Sequence, residues 1–285
     1  MPRSRPLFRQ VSVIGLGLIG GSLGMALRRG KIARRVIGFS RREATLRRAK
    51  RRGAIDDGCT ELCPDWLSES DLVVIATPPS TVPRIARQVA RLARRPLVLT
   101  DVASTKAKIV RDVERALPSR ISFVGAHPIA GSERSGIEAA DARLFGGAAC
   151  IVTPTPRTRP AAAARVAALW RRLGCRVERM SPARHDTLVA QISHVPHLAA
   201  VGLALFPEQR ALRLSGGGFA DATRIALGDP ALWEEICRTN SREVGRALEQ
   251  LIKELSALQR MVRRPANGSL RGRFEAARRR RRRLK

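Results

Sequence analysis

The run Gly15-Leu-Gly-Leu-Ile-Gly20 follows the apolar stretch Val11 to Ile14 directly and leads into a segment whose apolar residues continue through Met25 and Leu27 at helical spacing. Three glycines in this GxGxxG order, set between a strand and a helix, leave few choices of local structure. The first permits a tight turn, the second lets backbone approach a pyrophosphate, and the third lets helix pack on strand with its amino end facing the anion. Context gives the motif its weight, because strand and helix keep alternating afterwards. Strands are predicted at 35–39, 72–76, 97–100, 121–126, 148–152 and 175–180, with helices between them. The pattern predicts an α/β fold, a Rossmann-type doubly wound sheet that is mostly parallel and covered on both faces. Gly15, Gly17, Leu18, Ile19 and Gly20 are the candidate dinucleotide contacts, with Thr77 beyond the strand at 72–76.

After Met180 the character changes. Ser181-Pro182 reads as a capped helix start, and Asp229-Pro230 repeats the signature. Helices are predicted at 189–206, 220–227, 230–240 and 241–263, without strand alternation, and Pro196 is expected to kink the first of them. The reading is therefore a dinucleotide-binding domain over 1–182 and an all-α domain over 183–285. Residues 264–272 read as a loop, and the arginine-rich end as a short helix that frays into disorder.

With 285 residues and 44% hydrophobic composition the chain can bury two moderate cores. Its formal charge of +30 invites a nucleic-acid partner, but ten arginines and one lysine against one acid lie between Arg263 and Lys285. The remaining charge is spread over presumed helix faces, and 4% aromatics supply few stacking platforms, so nucleic acid is not the expected partner. Five scattered cysteines, Cys59, Cys63, Cys150, Cys175 and Cys237, fit neither a disulfide framework nor a zinc site. No apolar run reads as long enough to cross a bilayer, and the amino terminus has no signal-peptide core; a cytoplasmic protein without a membrane partner is expected.

Several residues carry chemistry. His127 follows the apolar run Ile121 to Ala126 and precedes Pro128, at a strand's carboxyl end among small residues. It reads either as a hydrogen-bonded polar residue or as a base near neutrality. Ser104, within Asp101-Val-Ala-Ser-Thr-Lys106, is placed to cap the next helix or to orient His127. At the tip of the second strand Ser40-Arg41-Arg42 offers no carboxylate for a ribose, the nearest being Glu43, and two guanidiniums that can grip a 2'-phosphate; NADP is the preferred cofactor and NAD the alternative. His194 and His197 share a helix face, but no third ligand is spaced with them, and no metal is expected. Asp221 and Arg224 stand three apart after Gly216-Gly-Gly218, either as a local ion pair or with Arg224 free for a substrate carboxylate.

Taken in order, GLGLIGGSLG, DVASTK, HPIAGSERSG, His185-Asp186, SHVPH and GFADATRIA resemble the prephenate and arogenate dehydrogenases of tyrosine biosynthesis, over about residues 10 to 280. The resemblance implies oxidative decarboxylation of a cyclohexadienyl substrate by hydride transfer to a nicotinamide. By the same resemblance His127 is the base on the substrate hydroxyl, and Ser104 bridges imidazole, hydroxyl and nicotinamide. Arg224 grips a substrate carboxylate, His197 and His194 line the pocket, Glu133 stands at its mouth, and Asp186 and Asp221 hold Arg224. It also implies a homodimer through the helical domain. Ser40 departs from the aspartate of many NAD-dependent members. No regulatory ACT domain or chorismate mutase segment is read in the chain, which leaves direct competition at the active site as the open route for tyrosine. A different NADP-dependent hydroxy-acid dehydrogenase and a non-catalytic basic nucleotide-binding or nucleic-acid-binding protein remain the alternatives.

Overall fold

Leu72–Ile75 (β4) shows why the sheet forms where it does: all four of its residues are apolar and all four are buried, which requires cover on both faces. The computed structural model describes residues 5–264 and 269–283. Phe8–Ile14 (β1), Ala33–Phe39 (β2), Asp57–Cys59 (β3), Leu97–Asp101 (β5), Ile121–Pro128 (β6), Ala149–Thr153 (β7) and Arg176–Arg179 (β8) join it in one eight-stranded sheet, in the order β3-β2-β1-β4-β5-β6-β7-β8. The chain order reverses at β1 beside β4, the switch point at which doubly wound sheets open a ligand crevice. Every pairing is parallel except β6 with β7, where His127 lies opposite Ile151. Short β3 escapes the apolar-run reading because it is Asp-Gly-Cys.

Helices cover both faces. Leu18–Arg29 (α1) and Pro160–Arg172 (α6) pack on one side, with Trp170 buried edge-on to Phe145 at 5.4 Å. The other side carries Pro64–Glu69 (α3), Val82–Leu92 (α4) and Ala107–Glu114 (α5). In α4 the buried residues are Val82, Ile85, Ala86, Val89 and Ala90, the i, i+3, i+4, i+7, i+8 stripe of a helix laid on a sheet. Glu43–Arg51 (α2) links β2 to β3. All five cysteines are unpaired.

No strand follows β8 among the described residues. Pro182–Val189 (α7) begins as the sequence suggests, with the Ser181 hydroxyl accepting from the Arg184 N–H. It continues through a π-helical turn, Ala190–His194, into Val195–Leu205 (α8). The irregularity therefore precedes Pro196. Pro182–Leu205 is long and apolar enough to cross a membrane by length and composition alone, which corrects the sequence reading. Its His185, Asp186, His194 and His197 are buried and face other parts of the protein, whereas Ile192, Leu203 and Leu205 on the same span are exposed. The domain continues through Gln209–Leu212 (α9), Gly217–Thr223 (α10), Pro230–Thr239 (α11) and Ser241–Arg263 (α12). Its small core is Ala190, Val195, Val244 and Ala247. The expected loop over 264–272 lies partly outside the described residues, and from Ser269 the chain is already helical, to Arg282 (α13). The described arginine-rich segment is a helix of about four turns, tied to α12 by an ion pair from Arg273 to Glu254 (2.7 Å), and the very end, where fraying is expected, lies outside the described residues.

The glycine loop is built as its spacing requires. Gly15 turns at φ +95°, with its Cα so close to the end of β4 that a Cβ would lie 2.6 Å from the Ala76 carbonyl oxygen. A Cβ on Gly20 would lie 1.9 Å from the Gly15 carbonyl oxygen. Gly20→Ala is therefore expected to push α1 off β1 and to destabilise the fold by about 1–3 kcal/mol. An unchanged urea midpoint would reject that packing role.

Candidate active site

Three segments converge on the carboxyl edge of the sheet: the turn after β1, the turn after β5 and the end of β6. The amino end of α1 is open to a ligand. Its N-cap is Gly17, no acid occupies the first turn, and nothing lies within 4 Å of the position a Gly17 Cβ would take. Leu18 and Ile19 are half-buried beside it, and Thr77 at the end of β4 bonds Thr81 through the hydroxyls at 2.7 Å. These features suit a pyrophosphate at the helix terminus. At the tip of β2 the Ser40 hydroxyl accepts from the Arg42 N–H at 3.4 Å. Glu43 is spent on Arg47 at 3.0 Å, while Arg41 and Arg42 are exposed and make no ion pair among the described residues.

His127 is buried on β6, 8% exposed. Its Nδ1 lies 2.8 Å from Nε2 of His185, whose Nδ1 lies 2.8 Å from the Asp186 carboxylate. Its own Nε2 makes no hydrogen bond and is not sealed from solvent. Burial, reinforced by His185, Lys106 and His194, holds the His127 pKa well below that of a free imidazole. The ring is neutral at pH 7 and can accept a proton.

The segment before His127 is pinned by a buried ion pair. Lys106 and Asp101 are fully buried and bonded to each other, and Asp101 also accepts from the N–H groups of Ala103 (3.1 Å) and Ala126 (3.3 Å). The Lys106 stem runs past Gly125, where a Cβ would sit 3.2 Å from it and 2.5 Å from the Thr153 hydroxyl.

Ser104 corrects one expectation. α5 begins at Ala107, two residues later than a Ser104 cap requires, and the amino end is capped from outside by Asp186. The Asp186 oxygens accept from the N–H groups of Lys106 (2.7 Å) and Ala107 (2.8 Å). The Ser104 hydroxyl is left half-buried, without a hydrogen bond among the described residues. Asp186 is thereby committed and does not hold Arg224. Asp221 is exposed on α10 and makes no ion pair among the described residues. Arg224 pairs instead with Glu133, Nη1 to Oε2 at 3.0 Å, both partly exposed. The structure thus joins two candidate residues 91 positions apart that no spacing rule connects.

His194 and His197 do not converge on a common point. His194 Nδ1 faces the Asn240 amide at 3.3 Å, and His197 stacks on Trp233 with ring centroids 3.5 Å apart. His194 Nε2 and His197 Nδ1 are buried without partners. The Ser104 backbone lies beside the His194 ring, but not in hydrogen-bond geometry with Nε2. Burial depresses the pKa of His197 and pushes that of His194 down to about 4. His185, Asp101, Lys106, Trp233 and Asn240 are the site residues that sequence reasoning left without a role. An acid and a lysine bracketing a strand-end turn was the available signal for Asp101 and Lys106; nothing in the spacing of the others ties them to His127.

A glycine-loop turn at the switch point, with a neutral buried histidine on the same sheet edge, defines an NAD(P)-dependent oxidoreductase. Comparison with known proteins narrows the class. Residues 23–179 match the family model "Prephenate dehydrogenase, nucleotide-binding domain", and residues 181–276 match "Prephenate dehydrogenase, dimerization domain". The chain belongs to the prephenate dehydrogenase family. It is 34% identical to the prephenate dehydrogenase of Bacillus subtilis over 88% of this chain and 70% of that one. A crystal structure of prephenate dehydrogenase from Aquifex aeolicus with hydroxyphenyl propionate and NAD+ superposes with a TM-score of 0.90 at 32% identity, covering 97% of this chain and 98% of that one. Synechocystis arogenate dehydrogenase gives 0.80 at 28% identity, covering 95% and 98%.

The burial of His194 has a measurable consequence. Its ring binds no proton in the fold between pH 6.5 and about 4, whereas the unfolded ring does, so stability is fully present above pH 6.5 and falls as pH drops toward 4. This ring alone contributes about 3 kcal/mol to that fall, since every tenfold weakening of proton affinity corresponds to about 1.4 kcal/mol. Denaturant titrations across this window are expected to show the slope, and His194→Gln to lessen it without abolishing it, because the other three buried histidines are also depressed. A parental slope in the variant would reject the assignment.

Proposed function

We propose that the chain catalyses the oxidative decarboxylation of prephenate, arogenate or both, as a cytoplasmic homodimer whose dinucleotide-binding and helical domains meet near residue 182. The observation that carries this reading is His127, neutral, held through one nitrogen and free at the other, on the sheet edge that also presents the open amino end of α1. NAD(P)+ supplies a hydride acceptor when bound; Gly15, Gly17, Leu18, Ile19, Gly20 and Thr77 are the residues that would hold it. His127 Nε2 takes the proton of the substrate hydroxyl, and the unbonded Ser104 hydroxyl, at the end of the neighbouring strand, orients that alcohol. Loss of the ring carboxylate as carbon dioxide makes the ring aromatic, which drives the reaction forward.

Arg224 is the group for a substrate carboxylate. Its pair with Glu133 is partly exposed on both sides, and surface pairs of this kind are worth about 0–1 kcal/mol, so an incoming carboxylate can displace it at little cost. His197, braced against Trp233, and His194 line the same region. Exposed Leu203, Leu205, Phe206, Ile252 and Leu255 on α8, its C-cap and α12 supply the apolar surface that a second copy would cover. For the cofactor, free Arg41 and Arg42 with no acid at the strand tip favour NADP over NAD.

His127→Asn is expected to lower kcat by about 10²–10⁴-fold with cofactor affinity nearly unchanged, and Arg224→Gln to raise KM about tenfold or more. Turnover within a few fold of the parent would remove His127 from its role. Initial rates on prephenate and arogenate with NAD+ and NADP+ test substrate and cofactor together, and equal or better efficiency with NAD+ would reject the NADP reading. A product that retains its carboxylate would favour another hydroxy-acid dehydrogenase.

A further inference from the structure

We propose that His185 and Asp186 fix the tautomer of His127, so that His185 is a positioning residue that keeps the reacting nitrogen bare. The inference rests on the reading of His127 as the base, and its geometry comes from three short contacts in series.

Asp186 accepts from the backbone N–H groups of Lys106 (2.7 Å) and Ala107 (2.8 Å) and lies 2.8 Å from Nδ1 of His185. A carboxylate that already accepts two N–H groups is the acceptor in the third contact as well, so His185 carries its proton on Nδ1. Burial keeps His185 neutral, which leaves a lone pair on its Nε2. That lone pair faces Nδ1 of His127 at 2.8 Å, a distance that requires one hydrogen between them. Nδ1 of His127 must therefore be the donor, and the only lone pair left on the neutral ring is at Nε2. When Nε2 accepts the substrate's hydroxyl proton, both nitrogens of His127 carry hydrogen, and the Nδ1–H stays on His185 with the Asp186 charge behind it. His185 and Asp186 keep their own protonation throughout, so nothing is relayed and nothing has to return.

The groups facing His127 belong to different elements: His185 on α7, Lys106 in the turn before α5 with its partner Asp101 on β5, and His194 on the π-helical turn. Asn240, between α11 and α12, donates to the Asp186 carbonyl at 2.9 Å and holds the second link from behind. His127 is on the sheet, but both residues that orient it come from the first helix after the sheet. The tautomer is thus set only when that helix is docked.

The chain has four histidines, so ¹⁵N spectra of the full, histidine-labelled protein resolve the imidazoles individually. Near neutral pH the ligand-free protein is expected to show His127 protonated at Nδ1 and bare at Nε2; the opposite tautomer would overturn the proposal. Asp186→Leu removes the acceptor that holds the His185 proton on Nδ1, so both rings are expected to populate the opposite tautomer, with His127 protonated in part at Nε2 and kcat lower by about tenfold or more. Because Asp186 also caps α5, a second pair covers the case in which that variant does not fold. His185→Gln keeps an acceptor for His127 Nδ1 and His185→Leu does not, so Gln is expected to retain at least about tenfold more kcat than Leu, with cofactor KM alike and the acid limb of the Leu variant's kcat profile displaced to lower pH, since its imidazolium has lost an acceptor. Equal kcat in the two variants would overturn the role. If His127→Asn keeps its turnover, the base assignment fails on its own, while the tautomer measured in the parent still decides this inference.

Discussion

The carboxylate of Asp186 is where the two halves of the molecule become one device. It sits on the first helix beyond the sheet and reaches back to two N–H groups at the start of α5, whose amino end has no cap of its own. Those donors point out of the helix with its positive dipole end behind them, so an anion there is stabilised more than one in water. The same carboxylate then bonds the imidazole that bonds His127. A helix cap, a domain contact and the orientation of the proposed base are thus one interaction. Secondary contacts follow the same seam: the Thr105 and Thr239 hydroxyls meet at 3.0 Å, and Glu235 accepts from the Ser80 N–H at 3.1 Å.

Around that seam the protein maintains unusually dry polar chemistry. Lys106 and Asp101 are both fully buried, an arrangement whose desolvation cost is offset only when the charges pair and their remaining sites find partners. Here the carboxylate ties the backbone on either side, at Ala103 and just ahead of His127 at Ala126. The pair adds positional constraint more than stability. Four histidines nearby are all buried and all shifted toward neutrality by desolvation. Neutral rings are the useful form in this setting, because each can accept through one nitrogen and donate through the other, so direction becomes a property of the network.

The parts of the fold that depend on local pattern were legible in the sequence. Apolar runs bounded by turn residues marked every strand except β3, which was missed, and β8, which is Arg-Val-Glu-Arg and was placed by the strand-helix alternation; glycine spacing marked the turn where β1 meets β4. His127 and Ser104 stood out as side chains at strand ends. What the sequence hid was pairing across distance. Ser104 looked like a cap because serine before a helix usually is one, yet the cap came from Asp186, 80 residues from the first N–H it accepts. Arg224 was assigned Asp186 and Asp221 for company and found Glu133. The reversed direction of β7 was equally silent, since alternation reports that a strand exists and not which way it runs. His185 lay in plain view beside Asp186, but only the packing of α7 against β6 gives it a neighbour.

The π-helical turn at Ala190–His194 sets a rule for the length of this chain. A π turn holds an extra residue relative to regular helix, and each residue of α-helix corresponds to about 100° of rotation. Upstream of it, His185 faces the sheet and Asp186 the start of α5; at its last residue His194 faces Asn240, and downstream His197 lies flat on Trp233. Winding the same residues as regular α-helix would swing everything after the turn by about a quarter of a revolution, carrying His197 away from its indole, whereas excising one residue there would restore regular helix with the later residues still in phase. The bulge acts as a phase adjuster between two sets of inward-facing groups that no uninterrupted α-helix of this length could serve together.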